Sequence, residues 1–177
     1  TERINSNNMN IALNIKVEEA IRFMTENFPI TDSDSRKAVM FHDIRVGVYL
    51  YEHNYNENIV MAGFLHDVIE WSDVTAEIVE EKFGKQILKL ILANSKDDLI
   101  KDQQEKTDEL IKRCVSEGED ALIIKTTDIL DSFKWYTQQN YPEQIEYCKR
   151  NARAILKFKP KEFDDKIFAE LDKWLEE

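Results

Sequence analysis

Residues 59–69 read IVMAGFLHDVI, an apolar run interrupted only by the adjacent pair His66 and Asp67. Its composition is that of a largely buried helix. An imidazole beside a carboxylate in such a helix is costly unless something satisfies both groups. A metal ion is the expected occupant. Taken alone, the pair reads first as a satisfied core histidine next to a locally capping aspartate, and the rest of the chain is what points to a metal.

His42 lies 24 positions upstream of His66 in RKAVMFHDIRVGVYLYEH, and Asp128 lies 61 positions after Asp67 in ALIIKTTDILDSF, both apolar helical stretches. The order is therefore H, then HD, then D. Two neutral imidazoles and two carboxylates form a mixed N/O donor set, which suits Mn²⁺, Fe²⁺, Ni²⁺, Co²⁺ or Mg²⁺ in octahedral coordination. Four protein ligands on six positions leave room for water and a phosphate oxygen. A second His-Asp pair, His42 with Asp43, is not the doublet, because no histidine precedes His42 to act as the upstream ligand. With these residues the chain resembles the HD superfamily of metal-dependent phosphohydrolases, all-helical proteins named for the doublet. The resemblance runs from about residue 36 to about residue 132. It implies His42, His66, Asp67 and Asp128 as metal ligands.

The composition agrees with an all-α fold. A chain of 177 residues with 42% hydrophobic content suffices for one domain with a sizeable core. Four glycines and three prolines are few helix breakers, and Leu, Ile, Glu and Lys are abundant. There is no run of 18 apolar residues, and the first ten residues (TERINSNNMN) lack the basic and apolar regions of a signal peptide, so a cytoplasmic, soluble protein without membrane association is expected. Cys114 and Cys148 lack C-x-x-C spacing and read as ordinary reduced thiols. A net charge of −11 argues against a nucleic-acid polymer as partner, while small anionic substrates stay open. A divalent ion and a few basic groups dominate the field inside a pocket whatever the exterior charge.

Residues 11–27 carry Val17, Ala20, Ile21 and Met24 at helical spacing, and Pro29 ends that pattern. Residues 31–35 (TDSDS) are capping types, so the next helix is expected from close to Arg36 to about Asn54, with His42 in its middle. A polar turn at residues 56–58 leads into the helix of His66 and Asp67. Residues 72–75 look like the cap of a further helix, with Glu77 in its first turn and Gly84 as its C′ residue. Residues 95–119 are strongly charged with weak periodicity, hence a long loop, a mobile lid or a partly solvated helix around residues 110–115. Helices from about Asp120 to Gln139 and from Tyr141-Pro142 to Lys159 follow. Beyond Pro160 a last amphipathic helix carries Phe163, Ile167, Phe168, Leu171 and Trp174, which either complete the core or form a homodimer surface. No repeat or low-complexity segment argues for a second domain, so residues 1–177 read as one unit, with C-terminal helices over 142–176 completing it.

Around the ligands, Glu70 stands three and four residues after Asp67 and His66 and is expected either to orient or deprotonate the attacking water or to face solvent. Arg45, three residues after His42, either contacts phosphate or pairs with an acidic side chain. Lys125, with Asp131 and Ser132 on the same face as Asp128, either binds a phosphate oxygen or balances the carboxylates. His53 reads as a favourable charge at a helix C-terminus. Lys149, Arg153 and Lys157 recur every four residues and form either a solvated face or, if they border the pocket, a site for distal phosphates.

The segment AGFLHDVIEWSDVTAEIVEEKFG resembles the hydrolase domain of the alarmone enzymes, which remove the 3′-pyrophosphate of guanosine tetra- and pentaphosphate with Mn²⁺, and IIKTTDILDSF resembles that branch around its last aspartate. Glu70 is then the first of the acidic pair after the doublet, and Mn²⁺ the expected cofactor. Three positions depart from the branch: Trp71 replaces the second acid, Ile129 the usual arginine and Ser132 an asparagine. Asp34-Ser35-Arg36 loosely resembles the nucleotide-contacting segment. Trp71 either stacks on a base or fills a rim of the core. Three functions remain open: a metal-dependent phosphohydrolase acting on a small phosphorylated compound such as a nucleotide, an alarmone 3′-pyrophosphohydrolase, and a metal- or ligand-binding module without catalysis.

Overall fold

Apolar residues recurring every three or four positions build ten helical segments and no strand among the described residues. They are α1 (Ser6–Asn27), α2 (Val39–Glu52), α3 (Glu57–Leu65), α4 (Val68–Trp71), α5 (Ala76–Phe83), α6 (Lys85–Asn94), α7 (Gln103–Glu117), α8 (Glu119–Gln138), α9 (Pro142–Phe158) and α10 (Lys166–Glu176). The structure is a computed structural model describing residues 6–33 and 35–176, with side chains from residue 11 onward. Residues 1–5 of the stretch read for a leader, and Asp34 of the segment before the first histidine, lie outside the described residues. No helix among those described is long and apolar enough to cross a membrane.

Helix α8 is the axis of the fold. Every residue over 121–130 is buried, and α2, α3, α6, α7, α9 and α10 all pack on it. Two of its buried threonines back-bond to the preceding turn, Thr126 Oγ1 to the Leu122 carbonyl and Thr127 Oγ1 to the Ile123 carbonyl, which satisfies their hydroxyls without a partner helix. The aromatic side of α10 completes the core: Ile167, Phe168 and Leu171 are buried, and the Trp174 ring lies 5.5 Å from that of Phe133.

Helices α2 and α3 cross closely at two glycines. A Cβ on Gly63 would sit 2.3 Å from Leu50 Cδ1 and 3.6 Å from the Gly47 Cα, and one on Gly47 would sit 2.3 Å from Phe64 Cγ. This contact sets the separation of His42 and His66.

Four expectations are corrected. Helix α2 begins at Val39, not near Arg36: Ser35 bonds back to Asp32 in a local turn, and the exposed Arg36 and the half-buried Lys37 follow without helical structure. The doublet does not lie within one helix, since the chain turns at His66 and Asp67 between α3 and α4. Residues 85–94 form α6, an element not anticipated, because Gly84 at φ +90° ends α5 and opens α6 in one residue. Within residues 95–119, α7 is a full helix whose buried stripe is Thr107, Leu110, Ile111 and Cys114, capped by the Asp102 side chain.

Candidate metal centre

Three elements bring the four predicted ligands together. His42 comes from the first turn of α2, not from mid-helix as expected, because that helix starts at Val39; His66 and Asp67 come from the α3–α4 turn, and Asp128 from the buried centre of α8. The His42 and His66 rings stand edge to face with centroids 5.3 Å apart.

Both nitrogens of His42 have carboxylate partners, whereas His66 has one nitrogen fixed by the fold and one left over. His42 Nδ1 donates to Asp131 Oδ2 at 2.6 Å, while its Nε2 faces Asp128 Oδ1 at 3.0 Å, a second acceptor. His66 Nδ1 donates to the Gly63 carbonyl at 2.9 Å, and its Nε2 is buried with no hydrogen-bond partner, 3.7 Å from Asp67 Oδ2 and 3.9 Å from Asp128 Oδ1. The unpartnered His66 lone pair thus faces carboxylate oxygens of Asp67 and Asp128 with no proton donor between them, which is the arrangement a cation satisfies. A carboxylate holding the far nitrogen of a ligating histidine is the usual support for such a ligand. The donor chemistry, nitrogen and oxygen without sulfur, fits a borderline-to-hard divalent ion.

Burial and charge set the protonation of these groups. Burial pushes the Asp128 carboxyl up, but Lys125, the hydrogen bond with His42 and the nearby His66 outweigh it and hold Asp128 well below the carboxylate range. Asp67 is likewise held low, with His66, Lys96 and Lys37 outweighing its burial. Burial lowers His66 and so favours the neutral, ligating imidazole. Asp131 is shifted down to about 2 against its own burial by hydrogen bonds from His42 and Arg45.

Asp43 joins the cluster. Single ligand atoms of His42, Asp43, His66 and Asp67 lie within 4.8 Å of one another. This carboxylate went unassigned in the sequence, where the His42-Asp43 pair served only as a decoy for the doublet; its apolar flanks, Phe41 and Ile44, were the available signal.

Beside the cluster opens a cavity of about 310 Å³ with Asp67 and Asp128 in its lining. Its cations are Arg36, Lys37, Lys96 and Lys106, and its aromatic rings Trp71, Tyr136 and Tyr147. A smaller lobe shares Arg36, Lys37, Trp71 and Tyr136 with it. Of the substrate-contacting candidates, Arg36 and Trp71 therefore line the cavity, and Trp71, 47% exposed, is a rim residue and not core filling. Ser132 is buried between Lys37 Nζ, which donates to its Oγ at 3.1 Å, and Asp128. Arg45 forms a two-pronged ion pair with Asp131, Nε to Oδ1 at 2.8 Å and Nη2 to Oδ2 at 2.7 Å. Lys125, 2% exposed, donates to Asp128 Oδ2 at 2.7 Å and so balances that carboxylate. Glu70 turns away from the cluster: its carboxylate accepts from the Lys96 backbone N–H at 2.6 Å and from Lys96 Nζ at 3.5 Å. Lys149 pairs with Glu146, and Arg153 borders a separate surface groove with Lys157. Helix α9 shows the cavity a different stripe, Gln144, Tyr147 and Asn151. Lys37, Lys96 and Lys106 were not anticipated, and no local pattern marks them. His53 caps α2, its Nδ1 donating to the Tyr49 carbonyl at 2.7 Å.

A helical domain built around a buried His/Asp cage for a divalent ion is the class these features define. Residues 20–155 match the HD domain family, most of the chain, and the chain belongs to that family, whose domains bind a divalent metal. It is 26% identical over 134 residues to the guanosine-3′,5′-bis(diphosphate) 3′-pyrophosphohydrolase of Aquifex aeolicus, covering 73% of this chain and 19% of that one. It is 32% identical over 109 residues to a protein of Mycoplasma pneumoniae named probable guanosine-3′,5′-bis(diphosphate) 3′-pyrophosphohydrolase, covering 55% of this chain and 15% of the other. The chain thus spans under a fifth of the length of either relative. In fold it is similar to a metazoan ortholog of SpoT described as hydrolyzing ppGpp, with a TM-score of 0.70 at 21% identity over 91% of this chain and 94% of that one. A Listeria monocytogenes EGD-e protein gives a TM-score of 0.64 at 16% identity over 82% and 98% of the two chains.

Proposed function

We propose that this chain is a metal-dependent phosphohydrolase acting on a small phosphorylated compound, a nucleotide, with His42, His66, Asp67 and Asp128 holding a divalent ion, Mn²⁺ first among the candidates. The observation that carries the proposal is the juxtaposition of two things: a buried His/Asp cluster in which His66 Nε2 has no hydrogen-bond partner, and a cavity in which four cations gather although the chain's net charge is −11. The ion, when bound, supplies the Lewis acidity that activates water and neutralises phosphoryl charge.

The chain's own residues do the rest. Arg36, Lys37, Lys96 and Lys106 bind and orient the phosphates, and the exposed face of Trp71, with Tyr136 in the adjoining lobe, receives the base. Glu70 is a positioning residue, since its two hydrogen bonds fix Lys96 at the cavity wall. Lys125 positions Asp128 and keeps it ionised. The charge of −11 disfavours nucleic-acid polymers as partners, and the two free, buried thiols are in keeping with the cytoplasm.

A narrower reading, 3′-pyrophosphate removal from guanosine tetra- or pentaphosphate, is favoured by the names of the two curated relatives. Trp71, where that branch carries an acid, weighs against it. The test is release of phosphate or pyrophosphate by the Mn²⁺-loaded protein across nucleotides and guanosine alarmones, beside Asp67→Ala. Turnover that is lost in the variant supports a hydrolase, and the product released separates the two readings. A protein that holds metal yet turns over none of these compounds is a binding module.

A further inference from the structure

Asp43 is fully buried, and neither of its carboxylate oxygens has a hydrogen-bond partner. The fold supplies it no donor. His66 Nδ1 is 3.8 Å away, but its proton is committed to the Gly63 carbonyl. The Asp67 backbone N–H lies in its neighbourhood without making a hydrogen bond, and Asp67 and Asp128 add only like charge. Its support from the protein is limited to the charge of Lys37 and the nearby Asp67 N–H, and a carboxylate without a hydrogen bond is costly to bury. One of its oxygens nevertheless lies within 4.8 Å of donor atoms of His42, His66 and Asp67. Donors about 2.1 Å from a common small ion stand no more than about 4.2 Å apart across it, and the 4.8 Å spread of this group is close to that limit.

We propose that Asp43 is a direct ligand of the divalent ion, making the cage two imidazoles and three carboxylates. The proposal rests on the metal site described above. Five protein donors leave one octahedral position for water or substrate, and the added carboxylate favours the hard oxygen-seeking ions, Mn²⁺ and Mg²⁺, over Zn²⁺.

Asp43→Asn and Asp43→Ala test it through binding and stability. Metal-free wild type and variants are titrated with Mn²⁺ and with Zn²⁺ against a chelating indicator, and the metal-free proteins are melted thermally. The expected result is Mn²⁺ binding at least ten-fold weaker in both variants, a smaller loss for Zn²⁺, and metal-free melting temperatures equal to or above wild type. Unchanged Mn²⁺ affinity overturns the proposal. So do metal-free variants that melt lower or fail to fold, because the carboxylate would then serve the fold and not an ion. Wild type that binds neither metal removes the metal site itself, a different failure that also ends the hydrolase reading.

Discussion

Gly47→Ala should destabilise the protein, although it places a better helix former inside α2. An ideal Cβ at Gly47 lies 2.3, 2.4 and 2.5 Å from Phe64 Cγ, Cδ2 and Cδ1. Carbon atoms in contact sit roughly 3.5–4.0 Å apart, so the ring has to retreat on the order of 1 Å. Phe64 is fully buried and has no solvent side to retreat to. Overpacking of this kind costs about 1–3 kcal/mol, and a rigid ring met by three atoms belongs at the upper end. The helix propensity of alanine returns about 1 kcal/mol. The net loss is about 2 kcal/mol, a fall in melting temperature of roughly 4–8 °C for a domain of this size. Gly63→Ala meets one terminal methyl of Leu50 at 2.3 Å and should cost less. Urea and thermal unfolding measure both. Phe64→Ala in the same chain, which deletes all three contacting atoms, should remove most of the Gly47→Ala penalty in a double-mutant cycle. A Gly47→Ala protein as stable as wild type, or a cycle without coupling, refutes the close-crossing account. Metal affinity should fall alongside stability, because His42 lies five residues before Gly47 and His66 three after Gly63 on the helices that would spread.

Asp131→Asn should weaken divalent-metal binding about 10- to 100-fold through loss of the carboxylate that orients His42. The same variant reports on acid stability. The folded-state pKa of Asp131 lies below its ordinary value of 3.8, at about 2, so its contribution is present above pH 3.8 and lost as pH falls toward 2. The loss amounts to about 2 kcal/mol in wild type and should be missing from the acid limb of the variant; parallel acid limbs would refute it. Burial pushes the Cys114 and Cys148 thiols up to about 12, so neither should react with a thiol reagent at pH 8 until the protein unfolds. A fast stoichiometric reaction of the native protein would contradict that burial.

Long amphipathic stretches were legible in the sequence because their apolar period survives in the fold: α1, α5, α8 and α9 fall close to where that period places them. Helix α7 hid because only four of its residues are buried and one of them is Thr107, so charge masks the stripe. The break at His66 and Asp67 was invisible because the apolar run crosses it without a breaker residue. The four candidate ligands were picked out by residue type and order together with the family resemblance these carry, since both outlast any particular spacing. The cavity's cations could not, because Lys37, Lys96 and Lys106 meet only through the packing of three separate segments. Of the two readings of the basic cluster visible in sequence, the structure is in keeping with a solvated face: Lys149, Arg153 and Lys157 follow one side of α9, while the cavity takes Gln144, Tyr147 and Asn151 from another.

The four predicted ligands stand on helices or at the turn joining two of them, whereas Arg36 and Lys37 stand on the connection before α2 and Lys96 on the one before α7. Connections accept sequence change far more readily than buried helices do. On the proposed function, selectivity in this chain is set largely outside the helices that hold the ligands, although Lys37 and Lys96 also bond to Ser132 and Glu70. A library confined to residues 35–37 and 95–101 would vary what the cavity admits while leaving α8 and the α2–α3 crossing untouched.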